Sequence, residues 1–465
     1  MSKTHAGTMA VVLVAVAAAG SFGCDGSESS GGGGVAGTTV TTTGGAGGES
    51  TTTTSSGAGG GGGQGGQGGT APTICGGPTN LGCADGHDCS VGADCLSGVC
   101  SGVCVAAQSY WVATTGDDAN DGSFEHPWAT IQHAADSVGE GTIVHVLPGS
   151  YAECIVSMCA GTEQARIRFL SEERWGALVH CDVSQTAAWD IGGDGYLDVV
   201  GFEVTGAVAV GIWNTATSHV RIIGNHVHDI PATGCDSNGG AGIDTGNYEG
   251  SDSDIIGNVV HDVGGDPTAV TCWRVHGIYH SNLRGRVANN LSYRNVGWGI
   301  HLWHAADEVT IVNNTVFANG YGGMIIGAGD APGGVDTDNC WIANNVVFDN
   351  GIGPAPGGYG IEEYGNVGPS NRYLNNLVFQ NLPDDYNLQG KTPEASVSED
   401  PLFVDYSRDG TGDYRLEPTS PAVNAGQSDR APSYDIDGGL RPVGEAWDIG
   451  AYEQGNTAAT IWPFL

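Results

Sequence analysis

The chain has 465 residues, and its 15 Lys and Arg residues against 52 Asp and Glu residues give a formal net charge of −37. Proteins that bind nucleic acid or anionic lipid rely on clustered Lys and Arg, so this composition excludes a nucleic-acid partner and argues against binding to lipid through charge. Glycine accounts for 80 residues, which argues against a helical protein because glycine disfavours helix. Thirteen cysteines indicate an oxidising compartment.

The first 23 residues have the pattern of an export signal. Lys3 precedes an apolar run, residues 9–19, that is too short to span a bilayer and is followed by small residues ahead of Cys24. The segment resembles a bacterial lipoprotein signal, which implies that Cys24 is lipidated; cleavage without a lipid is the alternative. We therefore expect a secreted protein or an outer-surface lipoprotein of a bacterium, which meets a membrane only through a lipid anchor.

Two further segments precede the main domain. Residues 25–72 are almost entirely Gly, Thr, Ser, Ala and Gln, which predicts a disordered linker because there is little apolar surface to bury. Residues 73–107 contain six cysteines and few large apolar residues, which predicts a small cross-linked module. The spacing has no CxxC pair and therefore favours three disulfides over zinc, with fifteen connectivities open. The six are Cys75, Cys83, Cys89, Cys95, Cys100 and Cys104.

Between about residues 198 and 381 the sequence repeats itself, with phrases such as IIGNVVHDV and IANNVVFDN. Each repeat holds short alternating strands and no helical period, so we predict a mainly β chain folded as a parallel β-helix, a single-stranded solenoid. Coils stack about 4.8 Å apart, so the repeated amides are expected to form ladders, and asparagine also tolerates the tight corner. A column of aromatic residues is expected to stack between coils in the core. The first ladder is Asn225, Asn258, Asn290, Asn314, Asn345 and Asn376; the second is Asn295, Asn319, Asn350 and Asn381; the aromatic column is Tyr293, Phe317, Phe348 and Phe379.

The segments that flank the repeats resemble the ends of a known group of proteins. The opening YWVATTGDDANDGSFEHPWATIQHAADSV and the closing DPLFVDYSRDG and WDIGAYE are similar to the N-terminal cap and last coils of exported bacterial right-handed parallel β-helix proteins. The resemblance covers residues 108–455 and implies the pectate-lyase-like fold, many members of which act on or bind polysaccharides. Fold alone does not decide function. The apolar spacing over residues 129–138 also predicts a short helix that caps the first coil.

A glycine followed by Ile or Met recurs in each coil, and strand parity places the next residue on the outer face. Carboxylates, imidazole, phenol and indole along one exposed face suit a sugar polymer. Longer loops before Gly242, Gly277 and Gly360 are expected to wall a groove over this face. Cys235 and Cys272 lie in two of these loops, so we predict a disulfide between them, and a second bond within Cys154, Cys159 and Cys181. The outward column is Trp213, Asp244, Tyr279, His301, Ile325 and Glu362, with Trp303 beside His301.

Within this column the residues favour elimination over hydrolysis. His301 is the candidate base and Tyr279, one coil away, the candidate acid, with Asp244 and Glu362 as further candidate catalytic groups. Those two acids are four coils and roughly 19 Å apart, too far for the carboxyl pair of a glycosidase, and a partner such as Glu363 stays open. Several β-helix lyases use lysine with calcium, but the sole lysine of the mature chain, Lys391, lies beyond the repeats. The candidate substrate-binding residues are Trp213, Trp303 and Arg294.

No cofactor is certain from the sequence. An oxygen-rich cluster in the opening segment suits calcium, and an Asp- and Asn-rich turn is the alternative. Four histidines crowd two strands, but their spacing predicts different faces and favours solvated corner residues over a metal cluster. The oxygen cluster is Asp117, Asp118, Asn120 and Asp121; the histidines are His276, His280, His301 and His304.

Two hypotheses for function follow from these patterns. The first is a polysaccharide lyase, and the second is a non-catalytic glycan-binding or surface-adhesion protein on a rigid rod. In both, the partner is a polysaccharide or a cell-surface glycan, and we expect a monomer.

Overall fold

The structure, a computed structural model, describes residues 75–456 except residues 78, 184, 194, 207, 216, 232–234, 236–238, 247–248, 271 and 330–336. The predicted export signal, the predicted lipidation site Cys24 and the linker of residues 25–72 lie outside the described residues. Within the described part of the chain, no helix is both long enough and apolar enough to cross a membrane.

The chain coils through three parallel sheets, contributing one strand to each sheet per turn, as the repeats predict. We name them sheet A, with ten strands, and sheets B and C, with nine each. Sheet A comprises Gln108–Val112, Thr142–Val146, Ile167–Ser171, Leu197–Val200, Arg221–Ile223, Asp254–Ile256, Arg286–Ala288, Thr310–Val312, Trp341–Ala343 and Arg372–Leu374. Sheet B comprises Gly149–Tyr151, Ala177–Cys181, Glu203–Gly206, His226–His228, Val259–His261, Leu291–Tyr293, Thr315–Phe317, Val346–Phe348 and Leu377–Phe379. Sheet C comprises Ile155–Ser157, Ala187–Ile191, Val210–Asn214, Gly240–Thr245, Val275–His280, Trp298–Leu302, Gly322–Ala328, Ile361–Gly365 and Tyr386–Asn387. An antiparallel pair, Phe403–Asp405 and Asp413–Leu416, follows in the C-terminal segment.

The interior of the coil is filled by aliphatic side chains that repeat in register. In sheet A, Ile222, Ile255, Val287 and Ile311 lie on successive strands and have no exposed surface. Burying each such side chain contributes about 1.5–3 kcal/mol, and β-branched residues suit stacked strands. This core holds the strands in fixed register, so the outward residues of each strand are equally well positioned.

The two asparagine ladders form as predicted. In the first ladder each side-chain Nδ2 donates to the Oδ1 of the next asparagine at 2.9–3.1 Å, from Asn225 to Asn376. In the second, from Asn295 to Asn381, the same bonds measure 2.8–2.9 Å. The ladder residues are buried, so each amide replaces its water contacts with bonds along the axis of the coil.

The tight corner conformation belongs to the residue before each ladder asparagine, which corrects the expectation that the ladder residue adopts it. Gly224 and Gly257 have φ of 63° and 67°, and Asn289 and Asn313 have φ of 54° and 55°. Asparagine and glycine are the residues that tolerate this left-handed region best. In each Asn-Asn pair of the sequence, the first residue therefore adopts the left-handed corner conformation and the second forms the ladder hydrogen bonds.

The aromatic column stacks between coils, but on the outer face of sheet B and not in the coil interior. The rings of Tyr293 and Phe317 are nearly parallel, with centroids 4.8 Å apart. The C-terminal segment covers them, with Phe403 in the same buried cluster and Tyr414 centred 4.2 Å from Phe317. The aromatic column is thus the docking surface for the tail of the same chain.

The N-terminal end of the coil is closed in two ways. The predicted capping helix spans Ile131–Ser137, and the Thr130 hydroxyl at its start accepts a hydrogen bond from the backbone N–H of His133. The cysteine module packs beside the first coils, where Gly92 and Cys100 donate backbone hydrogen bonds to Glu163 and Gln164. Its three disulfides are Cys75–Cys83, Cys89–Cys100 and Cys95–Cys104.

The two disulfides predicted for the coil are also present. Cys154 bonds to Cys181, and Cys235 bonds to Cys272 across neighbouring loops. Cys159 and Cys340 are buried and take part in none of the five disulfides of the described residues.

Candidate functional site

The outward column lies on successive strands of sheet C. Trp213 pairs with Asp244, Asp244 with Tyr279, and Tyr279 with His301. The column continues through Ile325 to Glu362. Four strand steps therefore separate Asp244 from Glu362, in keeping with the expected ~19 Å, so these two carboxyl groups do not face one another.

Loops raise walls over this column and create a groove with a volume of about 830 Å³. The loop closed by the Cys235–Cys272 bond brings Trp273 and Arg274 to one wall, and Gly357 comes from the loop before Gly360. The rings of Trp303 and Tyr364 lie nearly parallel, 6.0 Å apart, at the other end. The aromatic lining residues are Trp213, Trp273, Tyr279, Trp298, Trp303, Tyr321 and Tyr364.

Strand parity does not find all of the groove residues, because the alternation breaks at the glycines. Val275 and Ile278 both point into the core, while His276 and Tyr279 both line the groove, so Gly277 takes up an extra position between them. A Cβ at Gly277 would lie only 2.3 Å from the Ser292 hydroxyl, which is why glycine is required there. The residue before each glycine is the sequence signal that locates His276, and likewise Trp298.

Three of the four crowded histidines share the groove, so the expectation that they lie on different faces or corners is wrong. His301 Nδ1 lies 3.1 Å from both ring nitrogens of His276, and His304 also lines the groove. His280 is the exception: it is buried, with Nδ1 2.6 Å from the Thr245 hydroxyl and Nε2 2.8 Å from the Arg284 carbonyl.

Burial sets the protonation of the groove floor. Desolvation, together with the neighbouring His276 and His304, lowers the pKa of His301 well below its usual value, so the imidazole is neutral at neutral pH. Burial raises the pKa of Asp244 well above its usual value and that of Glu362 to about 7. Burial therefore favours the neutral forms of the His301 imidazole and the Asp244 carboxyl, and Glu362 titrates near neutrality.

His301 Nε2 is buried, and among the described residues it has no hydrogen-bond partner. The same holds for Asp244 Oδ1. A ring nitrogen without a partner in a buried site is unusual, because leaving it unsatisfied costs about 1–3 kcal/mol. The floor of the groove thus has polar atoms without a partner among the described residues, which a ligand can satisfy once the side chains that cover them move aside.

Arg294 does not lie in the groove, which corrects its place among the candidate substrate-binding residues. It occupies a left-handed corner, donates to Asp262 at 2.9 Å and contacts the carbonyl of Arg408 in the tail. Arg274 is the arginine that lines the groove, over the ring of Trp273 at 4.6 Å. Sequence alone does not single it out, because it lies in a loop insertion.

Lys391 and Glu363 are also outside the groove. Lys391 donates to Glu363 at 2.9 Å, and the Tyr373 hydroxyl donates to the same carboxylate at 2.8 Å. Glu363 is 1% exposed and points away from the lining face of its strand, so it is not the missing hydrolytic partner of Glu362.

Among the residues that the structure describes, the groove lining lacks the oxygen ligands that would hold a calcium ion. Calcium takes six to eight oxygen ligands, several of them carboxylates, whereas the described lining residues supply Asp244 and Glu362 four strands apart. In the opening segment, Asp118 accepts hydrogen bonds from Ala129 and Thr130, and Asp121 accepts one from Ser123. A calcium site there stays a prediction.

No family model matches the chain. The solved structure titled "Crystal structure of pectate lyase Pel9A" superposes with a TM-score of 0.52 at 20% identity, covering 78% of this chain and 100% of that one. The chain has a pectate lyase-like fold, a right-handed parallel β-helix.

Two further similarities are more limited. The structure titled "The complex structure of XylC with xylose" has a TM-score of 0.46 at 12% identity and covers 63% of this chain and 70% of that one. The uncharacterized protein YwoF of Bacillus subtilis is 28% identical over 142 residues, which is 28% of this chain. The match spans 30% of that relative's length.

Proposed function

We propose that the groove binds a uronate-containing polysaccharide and cleaves it by β-elimination. The observation that carries the proposal is the buried His301 Nε2, which has no partner among the described residues and lies one strand from Tyr279. The rings of His301 and Tyr279 are centred 5.0 Å apart. A neutral imidazole and a phenol at this spacing suit the base and the acid of an elimination.

In the proposed reaction, His301 Nε2 takes the proton at C5 of the uronate, next to the carboxylate. The electron pair forms the C4–C5 double bond, the C4–O bond breaks, and the departing oxygen takes the proton of the Tyr279 hydroxyl. Arg274, the cation of the groove wall, is the proposed partner of the uronate carboxylate, because a guanidinium binds a carboxylate in two parallel hydrogen bonds. Solvent then returns the proton from His301 to Tyr279.

Aromatic rings supply the binding surface along the rest of the groove. Trp273, just before the strand of Tyr279, is 53% exposed, and Tyr364, on the strand of Glu362, is 58% exposed. Exposed rings cover the apolar faces of sugars, and with Trp213 and Trp303 they define several sugar positions. Asp244, whose pKa burial raises in favour of the neutral form, is the proposed hydrogen-bond donor to a sugar hydroxyl beyond Tyr279.

The proposal includes an exported protein. The five disulfides support an oxidising, extracellular environment. The order of parts is then a signal of residues 1–23, Cys24 as the lipid site, a linker of residues 25–72, the module of residues 73–107 and the coil of residues 108–455. A surface tether places the groove where polymeric substrates occur.

The experiment is a screen of uronate polymers, including polygalacturonate and alginate, with ultraviolet absorbance as the readout of unsaturated ends. The account predicts a steady rise in absorbance on one class of polymer. New reducing ends without absorbance would indicate hydrolysis and would contradict the proposed elimination.

Glycan binding without cleavage is a second candidate, and one observation favours it. His301 is 7% exposed and its Nε2 is covered, so a sugar reaches it only if a neighbouring side chain turns aside. If the rim stays closed, the aromatic groove binds a glycan without chemistry. Binding that survives His301→Ala, with no absorbance on any polymer, would support this candidate.

A further inference from the structure

A second cluster of polar side chains lies on the outer face of sheet B, away from the groove. Strand register places Glu203 beside His226, and His228 beside His261. One ligand atom from each of Glu203, His226 and His228 lies within 4.8 Å of the other two. His261 Nε2 lies 2.8 Å from His226 Nε2. Three imidazoles and a carboxylate therefore converge across three successive coils.

Two of the imidazoles are oriented by carboxylates. His228 Nδ1 lies 2.8 Å from Asp229 Oδ2, and His261 Nδ1 lies 2.7 Å from Asp262 Oδ2. When Nδ1 donates to a carboxylate, Nε2 keeps its lone pair and becomes a ligand of raised basicity. This carboxylate–histidine arrangement is the outer sphere that metal-binding histidines usually have.

The cluster also holds an excess of acceptors. His228 Nε2 lies 3.0 Å from Glu203 Oε1, so its lone pair would face a carboxylate oxygen unless a positive charge lies between them. Glu203, Asp229 and Asp262 bring three carboxylates, and Arg294 pairs with Asp262. A divalent cation bound to the ring nitrogens and Glu203 removes this repulsion; a proton on His228 is the competing explanation.

We propose that Glu203, His226 and His228, with His261 as the fourth ligand, bind one divalent transition-metal ion of the zinc class. Zinc takes four nitrogen and oxygen ligands at about 2.0–2.2 Å, which places neighbouring ligand atoms ~3.4 Å apart. The His226–His261 contact, now 2.8 Å, has to open by about 0.6 Å, and the ligand atoms of Glu203, His226 and His228, now within 4.8 Å of one another, have to close by up to about 1.4 Å. Both shifts are within reach of side-chain rotation.

The site has an entry path and a structural role. A shallow depression of about 590 Å³ borders Glu203 and His228 and opens to solvent. Because the ligands come from three successive strands of sheet B, the ion cross-links three coils. This inference is independent of the chemistry in the groove.

The test uses the purified chain without a polyhistidine tag, freed of metal with a chelator and titrated with Zn²⁺ by calorimetry. We expect one site per chain, with Co²⁺ giving the visible absorption bands of tetrahedral coordination. His228→Ala is expected to weaken Zn²⁺ binding at least ~100-fold, and Asp229→Asn about 10-fold through its effect on His228. Zn²⁺ is expected to raise the melting temperature of the parent chain and not that of His228→Ala.

His180→Ala is the matched control, because His180 lies on the same face of sheet B with Nε2 2.7 Å from Asp182, two strands from His228. It is expected to bind Zn²⁺ within about threefold of the parent. Absence of a stoichiometric site, or equal loss in His180→Ala and His228→Ala, would overturn the proposal. If His228→Ala does not fold, Glu203→Gln replaces it as the test variant. A Zn²⁺ affinity of Glu203→Gln equal to that of the parent would also overturn the assignment.

Discussion

At the scale of single residues, burial shifts the pKa values of the ionisable groups on the groove floor. His301 is neutral because burial and two neighbouring imidazoles disfavour its charged form, and Glu362 is poised near neutrality because burial outweighs its bond from Asn387. Neither effect is visible in sequence, since both depend on which rings lie beside which group. Each leads to a separate pH dependence.

The first expected pH dependence is that of the rate of cleavage. A base acts when deprotonated, so activity should be lost only as pH falls through the lowered pKa of His301. We expect the acid limb of kcat/KM on a uronate polymer to lie well below pH 6.5. An acid limb at or above the ordinary histidine value of about 6.5 would contradict the assignment of His301 as base.

The second expected pH dependence is that of the affinity for an anionic glycan. Glu362 is neutral below its pKa of about 7 and becomes charged as pH rises through that value, so it repels a polyuronate only on the alkaline side. We expect affinity to fall about fivefold between pH 6 and pH 8, equivalent to about 1 kcal/mol for one solvent-screened charge. Glu362→Gln should abolish this fall. Glu308→Gln, which removes an exposed charge outside the groove lining, should retain it.

At the scale of elements, the corner between sheets A and B is the feature that sequence predicts best. Identical asparagines recurring at intervals of 24–33 residues within a repeated phrase predict vertical stacking, and the amides form a ladder. The strand parity that succeeds for Tyr279 and His301 fails for His276, because Gly277 interrupts the alternation. The candidate role of Arg294 fails for another reason: this corner residue in the left-handed region contacts the tail, whose path no repeat predicts.

The ladder should carry measurable stability. Asn314 donates to Asn345 at 2.9 Å and to the Val287 carbonyl at 2.8 Å, and accepts from Asn290. Asn314→Ala leaves several buried partners unsatisfied and is expected to lower the free energy of unfolding by about 3 kcal/mol, measured by denaturant titration. Asn366→Ala, at an exposed position, should change it by less than about 0.5 kcal/mol. Equal effects would show that the ladder is not a stabilising unit.

At the scale of the whole molecule, the two ends of the chain close the coil from outside. The cysteine module meets the first coils where a buried carboxylate, Asp198, binds Arg168 and Arg221 of sheet A and Arg166 just before the strand of Arg168. Arg168 also donates to the Leu96 carbonyl of the module. The tail covers sheet B and reaches the corner asparagines, Asn289 donating to the Tyr434 carbonyl at 2.8 Å. Sheet C alone carries the groove.

The charge network should be essential for folding. The three guanidinium groups hold the pKa of Asp198 far below its usual value, although burial opposes them, so its stabilising effect is complete above the unfolded value of about 4 and is lost as pH falls below it. Asp198→Asn is expected to destabilise the chain by about 3–5 kcal/mol at pH 7, because three buried arginines lose their partner. Asp413→Asn, at an exposed pair, should cost less than 1 kcal/mol. A small effect at Asp198 in thermal unfolding would argue against this docking account.

The most direct test of the proposed groove chemistry is the initial rate of double-bond formation on a cleaved uronate polymer, compared among three single variants. The account predicts that His301→Ala and Tyr279→Phe each lower kcat by at least ~100-fold while KM changes less than about threefold. His126→Ala, an exposed histidine outside the groove, should match the parent chain. Full activity in either groove variant would contradict the assignment of His301 and Tyr279 as base and acid.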